Sequence, residues 1–288
     1  MGFEIFIDNE GNRYTDEEIL INIFSKYEET KKDPQTYEDF QHQVKKIVMY
    51  YYKTFEKPEF DGLLTNFKNR YIYNENKLEE VHEPEEIEGL ASVYDHIQSK
   101  IEEKNINIYL LLILHNILYS KTPYPEFGGD IRTNNCYLSN SSIETEDFQN
   151  IGQKLSDLYN YTKELAEKGI KLGKEKDINK IMDYVDECII LNAELIRIHP
   201  FTDGNGRITR SFLNIYFKLA GIPPTYIEPR EQIEYQKAMR KAIIEKDYKF
   251  LQQFYYFKIC DSIYELDIVN KIKNKDKPLS RALKKTTI

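Results

Sequence analysis

Two apolar stripes at helical spacing flank one short polar segment, and this constrains the chain more than any other feature. Ile178, Ile181, Met182, Val185, Cys188 and Ile189 mark the first stripe. Ile208, Phe212, Ile215 and Leu219 mark the second, which ends at Gly221 and Pro223-Pro224. Between the stripes begins the run His199-Pro200-Phe201-Thr202-Asp203-Gly204-Asn205-Gly206-Arg207-Ile208-Thr209-Arg210. Two core helices therefore hold one loop between them. Most other segments also read as helix, so a mainly α fold is expected.

The loop's composition points to phosphate. Gly204-Asn205-Gly206 can adopt backbone angles closed to other residues, which lets successive N–H groups converge on an anion. The nest opens a helix, whose dipole and unpaired amides favour negative charge there. Arg207 and Arg210, three apart on the first turn, add fork-shaped donors. Asp203 is the carboxylate placed to contact Mg²⁺, with phosphate and water completing its octahedron. His199, just before the nest, can accept a proton from a hydroxyl attacking phosphorus. Phosphoryl or nucleotidyl transfer is the chemistry these residues suit. An EF-hand fails on spacing, because Arg207 stands at the fifth position of such a loop and Asn214 where a bidentate Glu is needed. Phe201 reads as a core residue that fixes the loop.

The pattern His-x-Phe-x-Asp/Glu-Gly-Asn-Gly-Arg-x-x-Arg, matched by His199, Phe201, Asp203, Gly204, Asn205, Gly206, Arg207 and Arg210, resembles the signature of Fic proteins. The resemblance runs from about Arg70 to about Glu245. It implies transfer of AMP from ATP, with Mg²⁺, to a Tyr, Ser or Thr hydroxyl of a target protein. On this likeness His199 is the base, Asp203 the metal ligand, Asn205 and the nest hold the α and β phosphates, and Arg210 holds the γ phosphate.

Three further segments gain meaning only from the likeness. Gly128 to Leu138, including Arg132, Thr133, Asn134, Asn135, Cys136 and Tyr137, resembles the family's target-docking flap, a small β-hairpin. Asp130-Ile131 departs from its usual start. An unpaired extended edge of that kind adds a target segment through main-chain hydrogen bonds. Tyr235 and Ala238 resemble the adenine-side helix, with Tyr235 as a stacking aromatic. Many members also carry an inhibitory pattern, Ser/Thr-x-x-x-Glu-Gly/Asn, whose Glu pairs with the second motif arginine, here Arg210. Glu79 is the preferred candidate, although Glu75 stands in the Ser/Thr position and Glu80 in the Gly position. Glu88, followed by Gly89 but with Pro84 in the Ser/Thr position, is the alternative.

Composition bounds the remaining classes. The chain has 288 residues, 41% hydrophobic and 31% charged, enough for a sizeable core. A net charge of −8 argues against general nucleic-acid binding. The longest apolar run, Tyr109 to Leu114, is far too short for a membrane span, and acidic Glu4, Asp8 and Glu10 replace the basic start of a leader. Cys136, Cys188 and Cys260 are odd in number and far apart, so a reducing cytoplasm is expected. Export by a specialised secretion system would leave the same trace.

The expected organisation is an N-terminal helical region over 1–69, a catalytic domain over 70–250, and a C-terminal helix with a basic tail over 251–288. Phe3 to Tyr14 reads as a hairpin and Thr15 as a capped helix start. Gln41 to Phe55, Pro84 to Glu103 and Tyr248 to Asn270 read as helices, and Lys271 to Lys285 as a frayed end. The functional expectation is a protein adenylyltransferase using MgATP on itself or another protein, with room for a homodimer. Removal of AMP with Glu79 positioning water, use of another nucleotide donor, and a non-catalytic nucleotide-binding regulator remain as alternatives. Gly206 argues against phosphate transfer, whose branch of the family tends to carry Lys there.

Overall fold

The computed structural model describes residues 5–7, 13–15, 37–54, 61–99, 106–138 and 143–273. The chain forms two compact units, Met1–Leu64 with Ile259–Ile288, and Thr65–Lys258. The end of the last helix is thus grouped with the N-terminal residues instead of standing as a third region.

In the first unit, β1 (Ile5–Ile7) pairs antiparallel with β2 (Arg13–Thr15), Ile5 opposite Thr15. The turn expected at Asn9 to Asn12 lies outside the described residues, as do the helix start after Thr15 and the tail beyond residue 273. Helix α1 (Tyr37–Thr54) buries Val44, Ile47, Val48 and Tyr52 at helical spacing. Phe55, the expected end of that helix, is outside the described residues.

The second unit is helical. It contains most of α2 (Asp61–Leu78), then α3 (Pro84–Ser99), α4 (Leu110–Tyr119), α5 (Ile151–Asp157), α6 (Tyr159–Glu175), α7 (Ile178–Ile198), α8 (Asn205–Leu219), α9 (Gln232–Ile244) and the first part of α10 (Lys249–Lys273). Pro84 opens α3 with Glu85 and Glu86 behind it, a favourable start against the helix dipole. Residues 100–105, into which α3 was expected to run, are not described.

Helix α8 lies at the centre, packed by α3, α4, α6 and α7. It is buried on every side, although six of its buried residues are polar: Asn205, Arg207, Thr209, Arg210, Ser211 and Asn214. Burial of polar groups is tolerable only when they are paired. Thr209 donates to the Asn205 carbonyl at 2.9 Å, Ser211 shares a 2.7 Å hydrogen bond with Tyr71, and Asn214 donates to the Thr225 carbonyl at 2.8 Å. The helix ends at Leu219, and Gly221, with φ 72°, lets Ile222 N–H reach back to the Phe217 carbonyl at 2.9 Å.

Gly89 reports a helix crossing. A Cβ there would stand 1.9 Å from the Leu118 carbonyl oxygen of α4. Close packing of α3 on α4 thus accounts for the glycine after Glu88.

The flap departs from the expected hairpin. Among the described residues it contains a single antiparallel bridge, Tyr137 with Glu144, supported by Leu138 N–H to Ile143 O at 3.0 Å and Thr145 N–H to Cys136 O at 3.2 Å. Residues 139–142 lie outside the description.

Candidate active site

His199 caps α7 in the left-handed conformation, φ 52° and ψ 63°. A residue with a Cβ holds that conformation at a cost on the order of 1 kcal/mol. The turn redirects the chain, so that the imidazole leaves the helix axis beside the start of α8. Its Nδ1 lies 3.3 Å from the Ile196 carbonyl. A carbonyl only accepts, which assigns the proton to Nδ1 and leaves Nε2 as the basic nitrogen. Burial lowers the His199 pKa to about 4, with the Arg132 charge acting in the same direction. The ring is therefore a neutral base at pH 7.

The loop between α7 and α8 is tied by its own residues. Phe201 is fully buried and its ring stacks on His115 at 3.7 Å and 6°. Asn205 donates from Nδ2 to the Phe201 carbonyl at 2.7 Å and accepts the Phe201 N–H on Oδ1 at 2.9 Å. Its side chain is thus committed to the loop. Gly204, φ 74°, opens α8 without a side-chain cap. The first-turn amides have no intrahelical acceptor, an arrangement that favours negative charge at this end.

Asp203 is 73% exposed at its side chain, and Tyr119 donates to its Oδ2 at 2.8 Å. One oxygen is thereby fixed while the other is open to a hard cation. Among the described residues no cluster of three or more His, Cys, Asp or Glu forms a metal cage. A cation held by Asp203 would take its remaining oxygens from phosphate and water, which suits Mg²⁺.

The two motif arginines occupy different environments. Arg207 is fully buried and forms an ion pair with Glu86 at 2.7 Å, poorly aligned for a hydrogen bond, with Asp203 at 3.6 Å. Its guanidinium braces α8 against α3 instead of lining the cavity. Arg210 does line the cavity, where its Nη2 donates to Glu79 at 2.6 Å and its Nε to Glu75 at 2.6 Å. Glu88 is elsewhere, 3.4 Å from Lys121.

A cavity of about 330 Å³ joins these parts; His199, Gly206, Arg210 and Glu79 line its polar end and Ile196, Leu138, Ile143, Tyr235 and Met239 its apolar wall. Tyr235 is buried with its ring 5.9 Å from the Arg210 guanidinium carbon. In the flap, Thr133, Asn134, Asn135 and Tyr137 are exposed, and Asn135 accepts the Phe148 N–H at 2.9 Å. Cys136 is half-buried against Thr145. Arg132 is buried and donates to the His199 carbonyl at 2.7 Å, to Asn134 O at 2.6 Å, and to Glu146 O. It fastens the flap's base to the turn at His199.

Four residues that the sequence did not single out as site residues complete the arrangement. His115 accepts the Gly129 N–H on Nδ1 at 2.8 Å, so its Nε2 carries the proton it donates to the Asp203 carbonyl at 3.0 Å. This joins flap and loop through one ring. Tyr119 fixes Asp203, Glu86 neutralises Arg207, and Tyr124 donates to Glu86 at 2.9 Å. Their signal in sequence is slight, because the partners lie on separate helices.

Burial also lowers the His115 pKa to about 4. Both histidines titrate near 6.5 when unfolded, so below that value the unfolded chain binds more protons. Their stabilisation is complete above pH 6.5 and is lost as pH falls toward 4. Urea unfolding between pH 7 and 5 should show a decline of up to about 1.4 kcal/mol per pH unit for each histidine. His199→Asn, which tolerates the left-handed turn, should remove roughly half of it.

A buried imidazole, a glycine-opened helix N-terminus and a guanidinium thus meet on one cavity of a helical domain. Residues 105–217 match the Fic/DOC family. The chain is 26% identical over 141 residues to the protein adenylyltransferase fic-1 of Caenorhabditis briggsae, covering 49% of this chain and 25% of that protein. It is 25% identical over 164 residues to the protein adenylyltransferase Fic of Drosophila willistoni, 56% of this chain and 30% of that one. The chain thus spans a quarter to a third of the length of these relatives.

Among solved structures, a segment of Fic-1 from C. elegans superimposes with a TM-score of 0.63 at 17% identity, covering 89% of this chain and 84% of that one. A Fic domain containing signaling protein from Bacteroides thetaiotaomicron gives 0.60 at 18%, over 79% of this chain and 95% of that one. At these identities the likeness establishes the fold. Among the described residues no helix is long and apolar enough to cross a membrane.

Proposed function

We propose that the chain is a protein adenylyltransferase that moves AMP from MgATP to a Tyr, Ser or Thr hydroxyl of another protein or of itself. One observation carries the reading: the free Nε2 of a neutral His199 shares a cavity with the α8 N-terminus and Arg210. The α8 amides and Gly206 receive the α and β phosphates, and Arg210 the γ phosphate once Glu79 leaves it. The apolar wall of Ile196, Leu138, Ile143 and Met239, with Tyr235 beside it, takes the base. Asp203 would hold Mg²⁺, which would supply neutralisation of the phosphate charge. The target hydroxyl, laid along the flap edge, gives its proton to His199 Nε2 while its oxygen bonds to the α phosphorus. The bond from that phosphorus to the β-bridging oxygen breaks, and pyrophosphate leaves.

Three free cysteines suit a reducing compartment, and the cytoplasm is the setting we assign. Incubation with Mg²⁺ and α-labelled ATP should label protein, and γ-labelled ATP should not. Label retained from the γ position would instead establish phosphate transfer, and Asp203→Ala should lower labelling at limiting Mg²⁺.

A further inference from the structure

Arg210 has two acidic partners that differ in kind. Nη2 donates to Glu79 and Nε to Glu75, each at 2.6 Å. Glu79 is 36% exposed and lines the cavity, whereas Glu75 has no exposed surface. The second oxygen of Glu75 accepts the Ile227 N–H at 3.2 Å, so its carboxylate is gripped from both sides. Glu75 sits on α2 one turn before Glu79, which follows the helix end, so both face Arg210.

The remaining nitrogen, Nη1, lies against Gly206, where a Cβ would come within 2.8 Å of it. The guanidinium is thus aimed into the nest by the contact at Nε. A buried arginine whose sole counterion departed would be left uncompensated, which is strongly unfavourable. With Glu75 present, Glu79 can leave without that penalty. This is also the position at which the chain departs from the inhibitory pattern, carrying Glu where Ser or Thr is usual.

We propose that Glu75 is a positioning residue, a permanent counter-carboxylate that holds Arg210 by Nε so that Nη1 and Nη2 face the γ phosphate whether or not Glu79 is in place. The proposal rests on Arg210 being the γ-phosphate clamp. It predicts an effect on ATP that ADP does not share, because ADP has no group at that position.

Calorimetric titration of ATP and ADP with Mg²⁺ into Glu79→Gly, Glu79→Gly/Glu75→Ala and Glu79→Gly/Glu75→Gln tests it. Glu79→Gly should prefer ATP to ADP by roughly tenfold or more. The Glu75→Ala double variant should lose most of that preference with ADP affinity unchanged. Glu75→Gln, which keeps the shape and one acceptor, should lose less and carries the test if the alanine variant does not fold. Equal losses for both nucleotides, or no loss for either, would overturn the proposal. Absence of any ATP preference in Glu79→Gly itself would instead remove the clamp reading, and the proposal with it.

Discussion

Replacing His199 by alanine is expected to reduce transfer of labelled AMP to protein by roughly 10²–10⁴-fold, the usual contribution of a positioned general base. The loss should fall on turnover and spare nucleotide binding, because the proposed role of the imidazole is to take the proton of the attacking hydroxyl and not to hold phosphate. The fold supports that separation. His199 is held by main-chain contacts, its N–H to the Leu195 carbonyl at 3.0 Å and its own carbonyl to Arg132 at 2.7 Å, and alanine keeps both. Single-turnover labelling alongside ATP titration makes the comparison. A variant that binds MgATP normally yet labels protein at the parent rate would show that another group takes the proton. The base should stay competent below pH 6.5, since its pKa is held near 4, and an acidic limb centred at pH 6.5 or above would contradict that.

The loop and its two helices were legible because their causes are local. Helical spacing in Ile178 to Ile189 and Ile208 to Leu219 sets α7 and α8, and Gly204 declares the left-handed turn before α8. What escaped was pairing across the fold. Arg207 and Arg210 look equivalent on one turn, yet one is neutralised by Glu86 and the other by Glu75 and Glu79, partners more than a hundred residues away. Acidic residues on a helix resemble a solvated face, so Glu75 and Glu86 gave no sign of being buried. Arg132 read as a flap residue for the target, and five donations tie it to backbone and Thr145 around the turn at His199. Gly89 made Glu88 look like part of a motif, when the Leu118 carbonyl is what excludes a side chain there.

Glu79→Gly is expected to raise AMP transfer by roughly ten- to a hundredfold, and Glu88→Gly to leave it unchanged. The carboxylate of Glu79 holds Nη2 of Arg210 at 2.6 Å and stands at the polar end of the cavity. ATP then meets a donor already occupied and a negative charge beside its γ phosphate. Recovering one charge-assisted hydrogen bond is worth about 1.5–3 kcal/mol, the source of the expected range. The gain should appear chiefly as a lower KM for ATP, because no chemistry passes through Glu79. Stability should change little, for Glu75 keeps Arg210 paired after Glu79 is gone. Glu88 pairs with Lys121 on an exposed surface, an interaction that contributes little either way. Steady-state labelling over a range of ATP concentrations, with thermal unfolding of each variant, separates the cases. Activation by Glu88→Gly but not by Glu79→Gly would mean that Arg210 is blocked in solution by a different carboxylate from the one now seated on it.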